Sequence, residues 1–275
     1  MMRATKVAKA PLRRSARLLS AGTTSAVPVE PKKTKKVARA APQKTKGVSD
    51  DDDDIAPKKK AKKAATDAAP TFKNGTLSRD FEQRMVNKGY SYVVGVDEAG
   101  RGPLAGPVVA AACYVPLDVT FEGIYDSKQL NEAQRELLFE QLTTHKDVHY
   151  AVHINSPARI DEINILQATL ESMTKSVEGL AIKADYALID GNKMPPLKIP
   201  GEFVIKGDGK VFAIAAASII AKVTRDRIMV DYDKQWPAYN FAQHKGYGTR
   251  AHMAAIHKHG ASPIHRMTFA PLNQL

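Results

Sequence analysis

Aromatic side chains are missing from the front of this sequence: no Phe, Tyr or Trp precedes Phe72. A segment so poor in large apolar groups cannot bury enough surface to offset the entropy lost on folding, so residues 1–70 are expected to be disordered. Cysteine is nearly absent as well. The single Cys113 excludes an intramolecular disulfide, and its place inside an apolar run marks it as a small buried hydrophobe rather than a catalytic thiol. Long apolar runs are lacking too. Val108–Pro116 and Ala213–Ala221 fall well short of the roughly 18 residues needed to span a bilayer, so no membrane helix is expected.

Charge, by contrast, is abundant and unevenly placed. The chain of 275 residues has a formal net charge of +12. Residues 1–70 hold 18 Lys and Arg against 7 Asp and Glu, whereas residues 71–275 hold 23 against 22. The sequence therefore divides into a basic tail, 1–70, and a nearly neutral folded body, 71–275, long enough for one sizeable core. Residues 1–29 contain Arg3, Lys6, Lys9, Arg13, Arg14 and Arg17 and no acid, as an organellar transit sequence does. Residues 31–39 and 57–63 are Lys-rich clusters of the nuclear-import or nucleic-acid-binding type. The two addresses conflict; a nucleus is expected first, with a mitochondrion as the alternative. Asp50–Asp54 is expected to be a solvated acidic run rather than a metal site.

Periodicity begins near Leu77. Tyr92–Val96, Val108–Val115 and His149–Ile154 are predicted strands, as are the shorter Tyr186–Ile189 and Phe203–Ile205. Asn131 with Gln134 has capping-box spacing and opens a predicted helix through Leu137, Leu138 and Leu142. Ser156-Pro157 is a second start signal, followed by Ile163, Leu166, Leu170, Met173, Val177 and Leu180 as one buried stripe. An Ala-rich helix is predicted from Phe212 to about Val230. Strands followed by helices imply a mixed α/β layer fold.

The segment Val94–Val109 stands out chemically. An apolar strand ends in two adjacent carboxylates, Asp97 and Glu98, and enters a turn with Gly100, Arg101, Gly102 and Pro103. Side chains alternate along a strand, so both acids can serve one site only where the strand ends and bends. The glycines permit that bend and a close backbone approach to a ligand, and Arg101 is placed to meet a phosphate. Asp190 and Asp208 follow other predicted strands in the same way. Carboxylates converging on one point would repel unless a cation such as Mg²⁺ or Mn²⁺ sat between them. Spacing alone leaves Asp190 open as a turn former and Asp208 as a helix cap. Five of the eight histidines fall between His244 and His265, without zinc-ligand spacing, and are expected to be surface or core residues.

Six segments, VGVDEAGRGPLAGPVVAAA from Val94, DSKQL at 126–130, EINILQAT at 162–169, LIDGN at 188–192, KGDGKVFAIAAASIIAKVTRD at 206–226 and FAQHKGYGT at 241–249, together resemble ribonuclease HII, the type 2 ribonuclease H family. The likeness covers roughly 90–270, and favours the bacterial single-chain form over the catalytic subunit of the eukaryotic three-subunit enzyme. It implies a ribonuclease H-like mixed sheet flanked by helices, with a helical C-terminal extension. It implies cleavage of the RNA strand of RNA–DNA hybrids, and nicking 5′ of a single ribonucleotide in duplex DNA, with roles in primer removal and ribonucleotide repair. Asp97, Glu98, Asp190 and Asp208 match the family's metal-binding acids, serving two Mg²⁺ or Mn²⁺ ions. Gly100, Arg101 and Gly102 match the segment that contacts the 2′-hydroxyl through its backbone, and Tyr247 the ring that packs on the neighbouring deoxyribose. Lys128 and Lys222 match phosphate contacts, and a monomeric catalytic unit is implied. A nucleic-acid binder that has lost its catalysis would lack one of the acids, and all are present. A related enzyme with a folded N-terminal domain, as in ribonuclease HIII, disagrees with the aromatic-free tail.

Overall fold

A computed structural model describes residues 72 and 75–274. The disordered tail expected over 1–70, with its basic clusters and Asp50–Asp54, lies outside the described residues.

A five-stranded sheet has the order β3-β2-β1-β4-β5. Strand β1 (Val93–Ala99) runs antiparallel to β2 (Val108–Tyr114), which pairs antiparallel with β3 (His149–Asn155). On its other side β1 runs parallel to β4 (Tyr186–Asp190), and β4 parallel to β5 (Gly201–Val204). Both faces are covered. Helix α5 (Phe212–Gln235) crosses β1 and β2 on one face, backed by α2 (Glu132–Thr144); α4 (Ile165–Glu178) covers β2 and β3 on the other. That double cover explains why β2 is a continuous apolar run rather than an alternating one. Cys113 lies within it, fully buried, and burial pushes its thiol up to about 12, as suits an unreactive core residue.

Helix α5 lies unusually close to β1, and the sequence accounts for it. Gly95 has no side chain where the helix crosses; a Cβ there would overlap the backbone of Ala213 and Ile214. The helix answers with Ala213, Ala215, Ala216 and Ala217, all fully buried. Val211 at its start has no side chain that can cap. The missing acceptor comes from α1 (Asp80–Val86), whose buried Glu82 accepts the Ala213 N–H at 2.7 Å. Arg79 stacks over Phe212 at 4.3 Å and donates to the Val115 and Val119 carbonyls, fastening α1 to the same corner.

The predicted capping box is present: Asn131 accepts from Gln134 N–H while the Gln134 side chain accepts from Asn131 N–H. Elsewhere three sequence expectations need correction. The helix after Ser156 is not continuous. Asn164, at φ 68, breaks it into α3 (Pro157–Ile163) and α4, and its side chain caps the second piece through Gln167 N–H. Of the predicted stripe, Met173 is buried and Val177 and Leu180 pack against the same core, but the rest of the buried line of α4 is the small or polar Ala168, Thr169, Ser172 and Ser176, which let the helix settle onto the sheet. Asp208 opens no helix: it sits in a 3-10 turn, Gly207–Gly209, ahead of α5. Strand β1 runs on through both acids to Ala99.

The C-terminal extension carries α6 (Phe241–His244) and α7 (Arg250–His259). It packs Tyr239, Phe241, Ile256, Ile264 and Leu272 on Leu104 and Ala105, from the segment between β1 and β2, and on Met229 in the second half of α5. Among the described residues no helix is long and apolar enough to cross a membrane.

The Gly95 contact predicts that Gly95→Ala lowers the urea midpoint by the equivalent of about 1–3 kcal/mol, the usual cost of overpacking. Gly75→Ala, where nothing lies within 4 Å, is the control. An unchanged midpoint in the first variant would mean that α5 can back away freely.

Candidate active site

The parallel pairing of β1 with β4 sets two acids side by side. Val96 pairs with Ile189, so Asp97 and Asp190 are the next residues on each strand. Alternation fixes their face. Gly95 points at α5, as do Tyr186 and Leu188, which pack with Ile214; Asp97 and Asp190, two residues further on, point the same way. The third acid arrives by a strained turn. Lys206 adopts φ 55, an uncommon conformation for a residue with a Cβ, and turns the chain so that the Gly207 N–H donates to Asp190 Oδ1 at 2.6 Å. Asp208 follows directly, and Asp97, Asp190 and Asp208 each offer a carboxylate oxygen within 4.8 Å of the others.

The electrostatic cost of this arrangement is visible. Asp97 and Asp208 are each only 4% exposed. Burial, and then the charges of Glu98 and Asp190, hold the Asp97 carboxyl well above the usual carboxylate range. Burial and Asp208 raise Asp190 as well. Lys128 Nζ, on an otherwise exposed side chain, lies 3.1 Å from Asp208 Oδ2. Burial, the largest single influence, lowers the pKa of this ammonium; the bond to Asp208 and the charges of Asp208, Asp126 and Asp97 together outweigh it and raise the value. Three hard oxygen donors, desolvated and mutually repelling, fit a divalent cation.

Glu98 is not part of that trio. Strand alternation starts its side chain away from Asp97, and Arg101 Nη1 lies 3.4 Å from its Oε1. The bend that would have brought the two acids together comes later, at Gly100 with φ 94. Glu98 remains close enough for the charge of Asp190 to raise its pKa, behind burial as the main cause and against Arg101.

Gly102 and Tyr247 face one another beside the acids' strand. A Cβ on Gly102 would lie 3.7 Å from Tyr247 Cε1, and the ring is 47% exposed. The Tyr247 segment is docked on the Gly100 segment: Leu104 N–H donates to the Gly246 carbonyl at 2.9 Å, and Gly246, at φ 88, sits against the Ala105 carbonyl with no room for a Cβ. Lys222 is bonded instead to Asp226, one turn along α5 at 2.9 Å.

Sequence reading missed the groups beneath this surface. His244, His252 and His265 are buried and linked. Ser262 N–H donates to His265 Nδ1 at 2.8 Å, which leaves the proton on Nε2. That nitrogen donates to His252 Nε2 at 3.0 Å, so the His252 Nδ1–H donates to the Tyr247 carbonyl at 2.9 Å. Burial keeps His252 neutral, down to about 4, and lowers His244 and His265 too. The relay fixes the backbone under Tyr247. Arg225 and Arg266, among the most buried side chains, also lie here. No sequence signal separates such residues from ordinary surface histidines and arginines.

Residues 94–272 match the family model described as Ribonuclease HII. The ribonuclease HII of Desulfitobacterium hafniense is 51% identical over 198 residues, 72% of this chain and 75% of that protein. That of Chlamydia caviae is 46% identical over 214 residues, 78% of this chain and 99% of its own length. Among solved structures, the ribonuclease H2 of Pyrococcus horikoshii aligns with a TM-score of 0.56 at 30% identity, over 67% of this chain and 96% of that one. The curated relatives named here come from bacteria, whose cells have neither nucleus nor mitochondria; the nuclear or mitochondrial destination expected from the basic tail loses its support and is withdrawn. A match that starts at the strand of Asp97 and extends through the C-terminal helices decides the assignment: this chain belongs to the ribonuclease HII family of metal-dependent endonucleases of RNA–DNA hybrids.

Proposed function

We propose that this protein, acting as a monomer, cleaves the RNA strand of RNA–DNA hybrids and also nicks duplex DNA on the 5′ side of a single embedded ribonucleotide, in primer removal and ribonucleotide repair. The observation that carries this reading is the gathering of Asp97, Asp190 and Asp208 within 4.8 Å, next to the strand that leads into Gly100–Gly102. Those three carboxylates would hold the cation, with Glu98 at the rim completing the set for a second. A bound pair of Mg²⁺ or Mn²⁺ ions supplies the activated water and the charge that stabilises the departing 3′-oxygen.

The chain's own groups do the rest. Arg101 and Lys128 are exposed cations beside the acids, paired with Glu98 and Asp208, and both can turn to an incoming phosphate. Selectivity requires a group that senses the 2′-hydroxyl, which alone separates a ribonucleotide from its neighbours. The backbone of Gly100, Arg101 and Gly102 is assigned that task, and Tyr247, facing Gly102, packs on the next sugar. Lys222 is held by Asp226, and its assignment to a phosphate rests on the family resemblance alone.

On duplex DNA carrying one ribonucleotide, Mg²⁺- or Mn²⁺-dependent nicking is expected, with Asp97→Asn slower by at least roughly a hundredfold. A variant with full activity, or a wild type that binds this duplex and never cuts it, would sink the mechanism. Tyr247→Ala is expected to lower kcat/KM at single ribonucleotides about tenfold, equivalent to about 1.4 kcal/mol, with little change in melting temperature because the ring is half exposed. Equal losses of stability and activity would instead make the ring structural.

The raised acids also predict a pH dependence. Asp97 and Asp190 bind protons more tightly in the folded protein than in the unfolded chain, where carboxyls titrate near pH ~4. Their contribution to metal-free stability is therefore fullest below that value and is lost as pH rises through the folded values. At neutral pH a cation at a hundred times its Kd should restore about 2.7 kcal/mol, a rise in Tm of roughly 5–10 °C. Asp97→Asn should raise the metal-free Tm and remove most of the cation's effect. Calorimetry with and without Mn²⁺ checks this, and an undiminished metal shift in that variant would place the cation elsewhere.

A further inference from the structure

Arg225 and Arg266 are 1% and 0% exposed, and among the described residues neither makes an ion pair. Their guanidinium groups instead face backbone carbonyls. Arg266 donates from Nη2 to Gly100 O at 2.6 Å and Pro107 O at 3.2 Å, from Nη1 to Arg101 O at 2.8 Å, and from Nε to Gly106 O at 2.9 Å. Arg225 donates to Pro107 O at 3.0 Å, Ala105 O at 3.1 Å and Lys245 O at 3.0 Å. Burial lowers both guanidinium pKa values, that of Arg266 to about 9, and the charge of Arg225 adds to the effect there. Two like charges buried together without a carboxylate in ion-pair contact are an expensive way to hold a loop, and apolar packing would serve if holding were all that was needed.

Peptide geometry shows what else they achieve. In a trans peptide the C=O and the N–H of the next residue point in opposite directions. Turning the Gly100 and Arg101 carbonyls inward onto Arg266 therefore turns the Arg101 and Gly102 N–H groups outward. Both residues are exposed, and neither N–H has a partner among the described residues. Arg225 adds the second dimension: its bond to Lys245 O ties the segment before Tyr247 to the same carbonyl frame.

We propose that Arg266, seconded by Arg225, is a positioning residue for ribonucleotide recognition: it grips the Gly100 and Arg101 carbonyls from inside the protein and so aims the Arg101 and Gly102 amides at the 2′-hydroxyl. This rests on the assignment of Gly100–Gly102 as the 2′-hydroxyl reader. Only a planar fork with five donors spans four carbonyls; a lysine keeps the charge and loses the span.

The test compares full-length protein with Arg266→Lys, each also carrying Asp97→Asn so that it binds without cutting. Affinity is measured for a duplex containing one ribonucleotide and for the same duplex in all-deoxy form. With Arg266 intact, the ribonucleotide duplex is preferred. With Arg266→Lys that preference falls about tenfold or more, as misaimed donors would cause, while all-deoxy affinity stays within about twofold and Tm is little changed. A preference unchanged by the substitution, or affinities for both duplexes falling together with Tm, overturns the proposal. Absence of any preference with Arg266 intact defeats the reader assignment itself, and the proposal with it. Should Arg266→Lys not fold, Arg225→Lys takes its place: the Tyr247 segment is then released, and the ribonucleotide preference is again expected to drop, with an unchanged preference counting against the frame.

Discussion

Everything at this site depends on how near α5 can come to β1. The contact is backbone against backbone, made possible by Gly95 on the strand and alanines on the helix. Because the helix lies so low, the turn that precedes it reaches the ends of β1 and β4, and Asp208 arrives beside Asp97 and Asp190. The helix start, at Val211, has no cap of its own, and Glu82 from α1 supplies the acceptor. The far half of the helix extends well beyond the sheet, since a residue adds about 1.5 Å. It carries Arg225 and Met229 to the C-terminal extension, so one helix links the acids to the segment bearing Tyr247.

The acids are held together against their own repulsion. Strand register places Asp97 and Asp190, a left-handed Lys206 places Asp208, and the raised carboxyl pKa values are the mark of that enforcement. A second enforced element lies beside it, in the two buried cations whose hydrogen bonds go to carbonyls. Negative and positive charges are thus both kept out of water near one surface, yet they do not neutralise each other. Such uncompensated burial concentrates where groups must be presented to a ligand rather than to one another.

Much of the fold was legible because local signals agreed with the tertiary structure. The strands, the Asn131 capping box and the Ala-rich helix follow from patterns a few residues long. Three acids could be brought to one point because each follows apolar β residues, and strand ends gather at a sheet's edge. What escaped was non-local. The chain break at Asn164 needs a positive φ that an Asn tolerates without announcing it. The buried line of α4 is set by how near the sheet allows it to come, not by the size of its apolar residues. Glu98 was expected to point with Asp97 because the strand was expected to stop there, whereas pairing with Ala110 keeps the alternation going and leaves Glu98 outside the close trio, though near enough for its charge to raise Asp97. Buried Arg225 and Arg266 look like solvent-facing residues until their carbonyl partners, most of them more than a hundred positions away, are known.

Strand β1 is hydrogen-bonded on both sides, antiparallel to β2 and parallel to β4, and its two adjacent acids face opposite ways. A slip by one residue would exchange them, delivering Glu98 to the face of α5 and Asp97 to the face of α4. It would also remove the side-chain-free position from beneath Ala213 and replace it with Val94 or Val96, which the helix could not clear. The residue that makes room for the helix is therefore a proofreading device for alignment: a chain paired one step out cannot close its core, so the misaligned sheet is eliminated during folding rather than persisting as an intact but inert enzyme.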